Sequence, residues 1–210
     1  MAPDPQVTVA PDVAPIVGPH AFVIAPVQVR EKEQALDEPL GQAAAALRTA
    51  GVSPAVADAV RAMYRRLGLD PTKTRPSSEA LLRRVRKGDE LPRVNSLVDV
   101  INWSSAESGL PFGLYDLHRI EGAVAVRLGE PGEEYAGIRK DVVHVAGRLT
   151  LADAAGPFGN PTSDSARTMI TTATTAALVV IFVPAALEAD VGPRIERVVR
   201  KRVREYATGG

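Results

Sequence analysis

The sequence predicts an α+β fold, and three of its features carry the prediction. Residues 36–108 show helical apolar spacing broken by capping and stop residues. Residues 121–183 change to short β-branched runs. Residues 189–206 return to a helical pattern with one apolar face and one basic face.

Val7–Ala10 and Ala21–Ala25 read as two short strands between Pro and Gly punctuation. Leu36–Ala50, rich in Ala and Leu, reads as a helix ending at Gly51. Ser53 with Pro54 behind it opens a second helix, which runs to Leu67 and stops at Gly68. Ser77 or Ser78 caps a third helix over Glu79–Lys87. Asn95 caps a fourth over Ser96–Glu107, with Leu97, Val100 and Ile101 facing inward and Gly109 closing it. Ala123–Arg127, Val142–Val145, Arg148–Ala152 and Leu178–Val183 read as strands. Asp153–Arg167 reads as a long polar loop, and the Thr-rich piece to Thr175 as either strand or helix. The final helix places Val191, Ile195, Val198, Val199 and Val203 on one face. Arg197, Arg200, Lys201, Arg202 and Arg204 take the other. There are no internal repeats.

Composition narrows the function classes. There are no cysteines, so disulfides, thiolate metal sites and cysteine nucleophiles are absent, in keeping with a reducing compartment. The N-terminus lacks a signal-peptide pattern, and the apolar run Ala176–Ala186 is too short to span a bilayer, so a cytoplasmic location without membrane attachment is expected. His20, His118 and His144 have no metal-ligand spacing, so no metal or other cofactor is expected. No phosphate loop or nucleophile elbow is present. The 25 basic and 25 acidic residues cancel, but the bases cluster. Arg61–Arg93 holds a surplus of them, including Arg65, Arg66, Arg75, Arg83, Arg84, Lys87 and Arg93. Such a stretch is either a phosphate-tracking surface or a set of solvated helix faces.

Leu91-Pro92-Arg93-Val94-Asn95-Ser96-Leu97-Val98-Asp99-Val100-Ile101-Asn102, followed by Leu110-Pro111-Phe112-Gly113-Leu114-Tyr115-Asp116-Leu117, resembles the signature of the B3/B4 module. That module is the tRNA-editing domain of the phenylalanyl-tRNA synthetase β subunit and also occurs as a freestanding protein. The resemblance covers about Tyr64 to Pro184. It implies a β-rich layered domain with a pocket between layers, over residues 91–184. Residues 1–90 then form N-terminal strands and a helical lead-in packed on that domain, and residues 185–210 a basic C-terminal helix.

The resemblance also implies what has changed. The family keeps a histidine in Pro-x-His-Ala-Phe-Asp, which here reads Pro111-Phe112-Gly113-Leu114-Tyr115-Asp116, so Gly113 takes its place. The family's glutamate near the end of the last strand aligns with the wholly apolar Leu178-Val179-Val180-Ile181. Editing of tyrosine by those two side chains therefore does not carry over. Loss of the histidine is expected to open space for a substrate bulkier than, or different from, tyrosine.

The polar loop is the substitute. Asp164, Ser163 and Thr162 are the candidate catalytic residues, holding an α-ammonium or placing a water. Asn160, Ser165, Arg167, Thr168, Gly113, Tyr115, Asn95 and Asn102 are candidate substrate-binding residues, with Arg167 set for the ester carbonyl or a terminal phosphate. The same residue types are ordinary turn formers, and Asp164 with Arg167 also has the spacing of a local ion pair. Asp99 reads as structural. The resemblance implies a deacylase acting in trans on the aminoacylated 3′ end of a tRNA, with an amino-acid moiety as its small ligand and no DNA partner. The alternative is a protein of the same fold that binds a tRNA end or an amino acid without catalysis. The sequence sets no oligomeric state.

Overall fold

In the computed structural model, which describes residues 5–139 and 142–208, the helices and strands alternate less simply than the two halves of the sequence suggest. The chain runs β1 (Val7–Val9), β2 (Val17–Ile24), α1 (Asp37–Ala50), α2 (Pro54–Arg66), α3 (Ser77–Arg86), α4 (Ser96–Ser108), β3 (Phe112–Asp116) and β4 (Val124–Leu128). It continues through β5 (Glu134–Tyr135), β6 (Val143–His144), β7 (Leu149–Asp153), β8 (Gly156–Gly159), β9 (Ala177–Pro184) and α5 (Val191–Tyr206).

Two main sheets form. One has the order β1-β4-β7-β8, and the other is antiparallel in the order β2-β9-β3. β5 and β6 make a small separate ladder. The N-terminal strands are woven into this architecture. β1 pairs parallel with β4, and β2 runs the length of β9, Val17 opposite Pro184 and Ile24 opposite Ala177. β9 is buried at all eight positions, as a central strand covered on both faces must be. One face of β3 meets the other sheet, where Tyr115 stacks edge-on against Phe158 of β8 at 4.9 Å. Its opposite face, Phe112 and Leu114, turns toward Val98 and Ile101 of α4 around a shared cavity.

The helix ends follow local chemistry. Asn95 accepts a hydrogen bond from the Val98 amide and Gly109 closes α4 at φ +74°, which only glycine adopts cheaply. At α3 the serines do not cap. Pro76 holds the cap position, Ser78 donates to the Gly109 carbonyl at 2.8 Å, and Ser77 points elsewhere. In α5, Val199 and Val203 are fully buried as the periodicity requires, but Val198 is 45% exposed. Arg202 has left the basic face. It lies over the Trp103 ring, 3.6 Å from its centroid, and pairs with Glu107 at 2.5 Å.

The polar segment Asp153–Arg167 is not one loop. Its first part is the hairpin β7–β8, with a register shift at Leu151/Ala152. Gly159 then bridges back to Asp164. The Thr-rich piece beyond it is turn and bend. Among the described residues, no helix is long and apolar enough to cross a membrane.

Candidate functional site

The segment 160–164 is held from three directions. Asn160 Oδ1 accepts the amides of Thr162 (2.8 Å) and Ser163 (2.9 Å), an Asx turn closed by its own side chain. Tyr64 of α2 donates to the Pro161 carbonyl and meets Thr162 Oγ1, each at 3.0 Å. Tyr135 of β5 donates to the Ser163 carbonyl at 2.6 Å and accepts from Asn160 Nδ2 at 3.0 Å. Burial raises both tyrosine pKa values further above the pH range in which proteins work, so both stay donors. Beyond the turn the chain follows the free edge of β3, where the Asp116 amide donates to the Thr168 carbonyl.

This turn separates two cavities. The first, about 150 Å³, lies between α3, α4 and β3. Its walls are mostly apolar (Leu81, Val98, Ile101, Phe112, Leu114, Ile138 and Ile170), with Ser77, Asn102, Ser105 and Asp164 as its polar members. Asp164 as a whole keeps some exposure, but its Oδ1 is buried without a hydrogen-bond partner, as is Ser77 Oγ. Burial pushes the Asp164 carboxyl up to about 7. The nearby Tyr115 hydroxyl only partly offsets this. A buried carboxyl that titrates near neutrality beside an apolar cavity is suited to exchanging protons with a bound ligand or water. The second cavity, about 290 Å³, lies on the other side of the turn and is lined by Asn160–Ser163 together with Lys73–Arg75 and Arg148.

The structure therefore distributes the candidate residues as follows. Asn102 and Asp164 share the first cavity, while Asn160, Thr162 and Ser163 face the second. Ser165 accepts the Arg167 amide, and Thr168 is fully buried with its hydroxyl unpartnered. Asn95 is the α4 cap and faces neither cavity. Arg167 is turned away from Asp164. It makes a bidentate pair with Asp153 at 2.9 and 3.0 Å and donates to the Arg119 carbonyl. Arg93 is likewise internal, bound to Asp99, Asp37 and the Glu33 carbonyl. Asp99 completes that anchor by accepting the Val94 amide. Arg65 and Arg66 end α2, and Arg83, Arg84 and Lys87 end α3, all exposed. There they complement the helix dipoles, and Arg66 and Arg84 donate to the Pro15 and Glu90 carbonyls. Arg75 lines the second cavity.

Gly113 opens no space. A Cβ there would sit 2.1 Å from the Tyr115 hydroxyl oxygen, and one at Gly159 would sit 2.3 Å from the same atom. The phenol of Tyr115 fills the slot between the two glycines, so the expected room for a bulkier substrate is taken. The open volume lies on the opposite face of β3. Gly113→Ala should cost roughly 1–3 kcal/mol, the scale of core overpacking. At about pH 5, where Asp164 is protonated, Tyr115→Phe removes a buried, unpartnered hydroxyl and should raise stability by about 1 kcal/mol. Denaturant melts of the two variants should move in opposite directions, and two shifts of the same sign would mean the slot is not packed this way.

Ser77, Lys73 and Arg148 were not apparent as site residues. Ser77 looked like a cap, and Lys73 and Arg148 meet only because the β5–β7 region folds over the α2–α3 connection.

The sequence pattern of the B3/4 domain matches residues 59–208. The chain belongs to the B3/4 domain family. Curated relatives of this B3/4 protein include the phenylalanine–tRNA ligase beta subunits of Dechloromonas aromatica (strain RCB) and Ralstonia nicotianae. The first is 34% identical over 84 residues, 40% of this chain and 10% of that protein. The second is 40% identical over 52 residues, 25% of this chain and 6% of that protein. The matched part thus spans a tenth or less of those subunits. Among solved structures, an N-terminal fragment of the phenylalanyl-tRNA synthetase beta subunit from Pyrococcus horikoshii superimposes with a TM-score of 0.50. That match covers 98% of this chain and 50% of the fragment, and at 11% identity it is a likeness of fold.

Proposed function

We propose that this B3/4 protein hydrolyses the ester of a misacylated tRNA in trans, with the aminoacyl group in the first cavity and Asp164 as the general base. The observation that carries the reading is the recessed Asp164 carboxyl, with one oxygen unpartnered, in the lining of a mostly apolar cavity. A cavity of about 150 Å³ lined by aliphatic and aromatic side chains suits an apolar group of about the size of a benzene ring. Asn102, which makes no side-chain hydrogen bond among the described residues, is available to orient the polar part of the amino acid. Water bound at Asp164 gives a proton to the carboxylate as its oxygen attacks the ester carbonyl carbon. The bond to the ribose oxygen then breaks, and that oxygen takes the proton back. The products are free amino acid and uncharged tRNA, and no metal or other cofactor takes part.

The relationship to the phenylalanine–tRNA ligase beta subunits supports an RNA-linked substrate. The lack of the family's histidine and glutamate favours a second reading, a protein that binds the aminoacyl end without turnover. A panel of tRNAs charged with different amino acids, incubated with the purified protein, tests the first. At least one apolar pairing should deacylate well above the buffer rate. If none does while a charged tRNA still binds, the binding reading replaces it.

A further inference from the structure

The second cavity has a different chemistry from the first. Lys73, Arg75 and Arg148 bring three cations to it, and Thr74 and Ser163 add hydroxyl donors, with no carboxylate among the described lining residues. Lys73 and Arg148 are exposed and make no ion pair among the described residues. Arg75 Nε is buried with no hydrogen-bond partner, and its nearest carboxylate contact, Glu79, is 3.9 Å away. The two acids that adjoin these cations in the chain are engaged elsewhere. Asp70 accepts from the Thr72 amide and hydroxyl at 2.9 and 2.7 Å, and Glu79 takes the Arg61 guanidinium at 2.8 and 3.2 Å. What remains among the described residues is a concave site of N–H and O–H donors in which Lys73 and Arg148 have no ion-pair partner, the arrangement that binds a phosphate.

Its position matters as much as its charge. Ser163 lines this cavity and Asp164, the next residue, lines the other. Consecutive Cα atoms are about 3.8 Å apart, so a single stretch of backbone divides the two. The same holds across the wall, where Arg75 and Ser77 line opposite cavities and the Ser77 amide donates to the Pro161 carbonyl at 3.3 Å.

We propose that the second cavity seats the terminal phosphodiester of an RNA 3′ end, with Lys73, Arg75 and Arg148 as its phosphate-binding residues, so that the attached acyl group reaches the first cavity across the Ser163–Asp164 wall. This rests on the aminoacyl-RNA reading above, and the two can fail separately. The exposed residues give the cleanest variant, Lys73→Glu/Arg148→Glu, with Arg197→Glu on the exposed face of α5, outside both cavities, as the control for bulk charge.

Binding of an uncharged trinucleotide carrying the tRNA 3′ sequence should weaken at least tenfold in the double variant and hold near wild type in Arg197→Glu. The salt dependence of binding should flatten by about 1 to 1.5 in log–log slope, as expected for two lost single-strand phosphate contacts. For a charged tRNA that turns over, the defect should appear in KM and not in kcat. Wild-type affinity in the double variant overturns the proposal, as does inorganic phosphate competing as tightly as the trinucleotide, which would mark a free-anion site. Trinucleotide binding that is lost in the double variant, with no hydrolysis of any charged tRNA by the wild type, keeps the phosphate seat and removes the catalytic reading.

Discussion

Asp164→Asn is expected to inactivate the protein and to stabilise it. As a general base the carboxylate should contribute roughly 10²–10⁴-fold to ester hydrolysis, and the amide cannot accept the proton. Burial holds the carboxyl at about 7 against an ordinary value of 3.8. The wild-type kcat/KM should therefore rise about tenfold per pH unit up to neutrality and then level. The residual rate of the variant should show no such inflection. Tyr115→Phe should move the inflection to higher pH, because the Tyr115 hydroxyl lowers the Asp164 pKa.

The same ionisation sets the stability. Between about pH 4 and 7 the folded chain keeps a proton on Asp164 that the unfolded chain has released. Stability contributed by this group is therefore full below pH 4 and falls as pH rises through 7. At pH 8 the folded protein holds a buried, poorly solvated charge that asparagine lacks. The variant should then be the more stable by a margin on the order of 4 kcal/mol at most. Denaturant titrations of both proteins across pH 4–8 check this. Parallel curves would mean that Asp164 is solvated and is not the base.

Arg167→Ala should behave in the opposite way, as a loss of stability of about 3–5 kcal/mol. The Asp153 side chain is fully buried, and its carboxylate also accepts the amides of Glu121 and Ala155 at 2.8 and 3.0 Å. Removing the guanidinium leaves that charge without its counterion inside the β7–β8 turn. Lysine should not rescue it, since one ammonium cannot make the two parallel bonds. Activity per folded molecule at low temperature should stay close to wild type. A variant that keeps its melting transition but loses turnover would return Arg167 to the substrate site.

The contrast between Asp164 and Arg167 shows which parts of the molecule can be read from the sequence. Capping and stop residues act over a few positions, so Pro54, Asn95 and Gly109 announced α2 and α4 correctly, and the β-branched runs announced β4, β7 and β9. β8 stayed hidden because Gly156-Pro157-Phe158-Gly159 has the composition of a turn, and only pairing with β7 makes it a strand. Arg167 was assigned by its loop neighbours, whereas its partner lies across that unseen hairpin. Gly113 suggested a hole because its filler, Tyr115, is only two residues away on the same face of β3. Whether a side chain folds back over a glycine depends on what lies opposite, and that was Gly159. Asp164 and Asn102 were named from the sequence and do share a cavity, but the cavity's apolar walls come from α3, α4 and β3 together.

β9 gives this protein an order of assembly. β2 and β3 never pair with each other. Each forms its ladder only with β9, at register positions far away in sequence, such as Val17 with Pro184 and Phe112 with Ile181. During synthesis both strands emerge early and have no partner until residues 177–184 follow, so sheet closure is a late, non-local step. The first cavity, with one wall on β3 and Asp164 of the turn in another, takes shape only once that step is complete. A nascent or partly unfolded chain in which β9 is still unpaired would lack that cavity altogether.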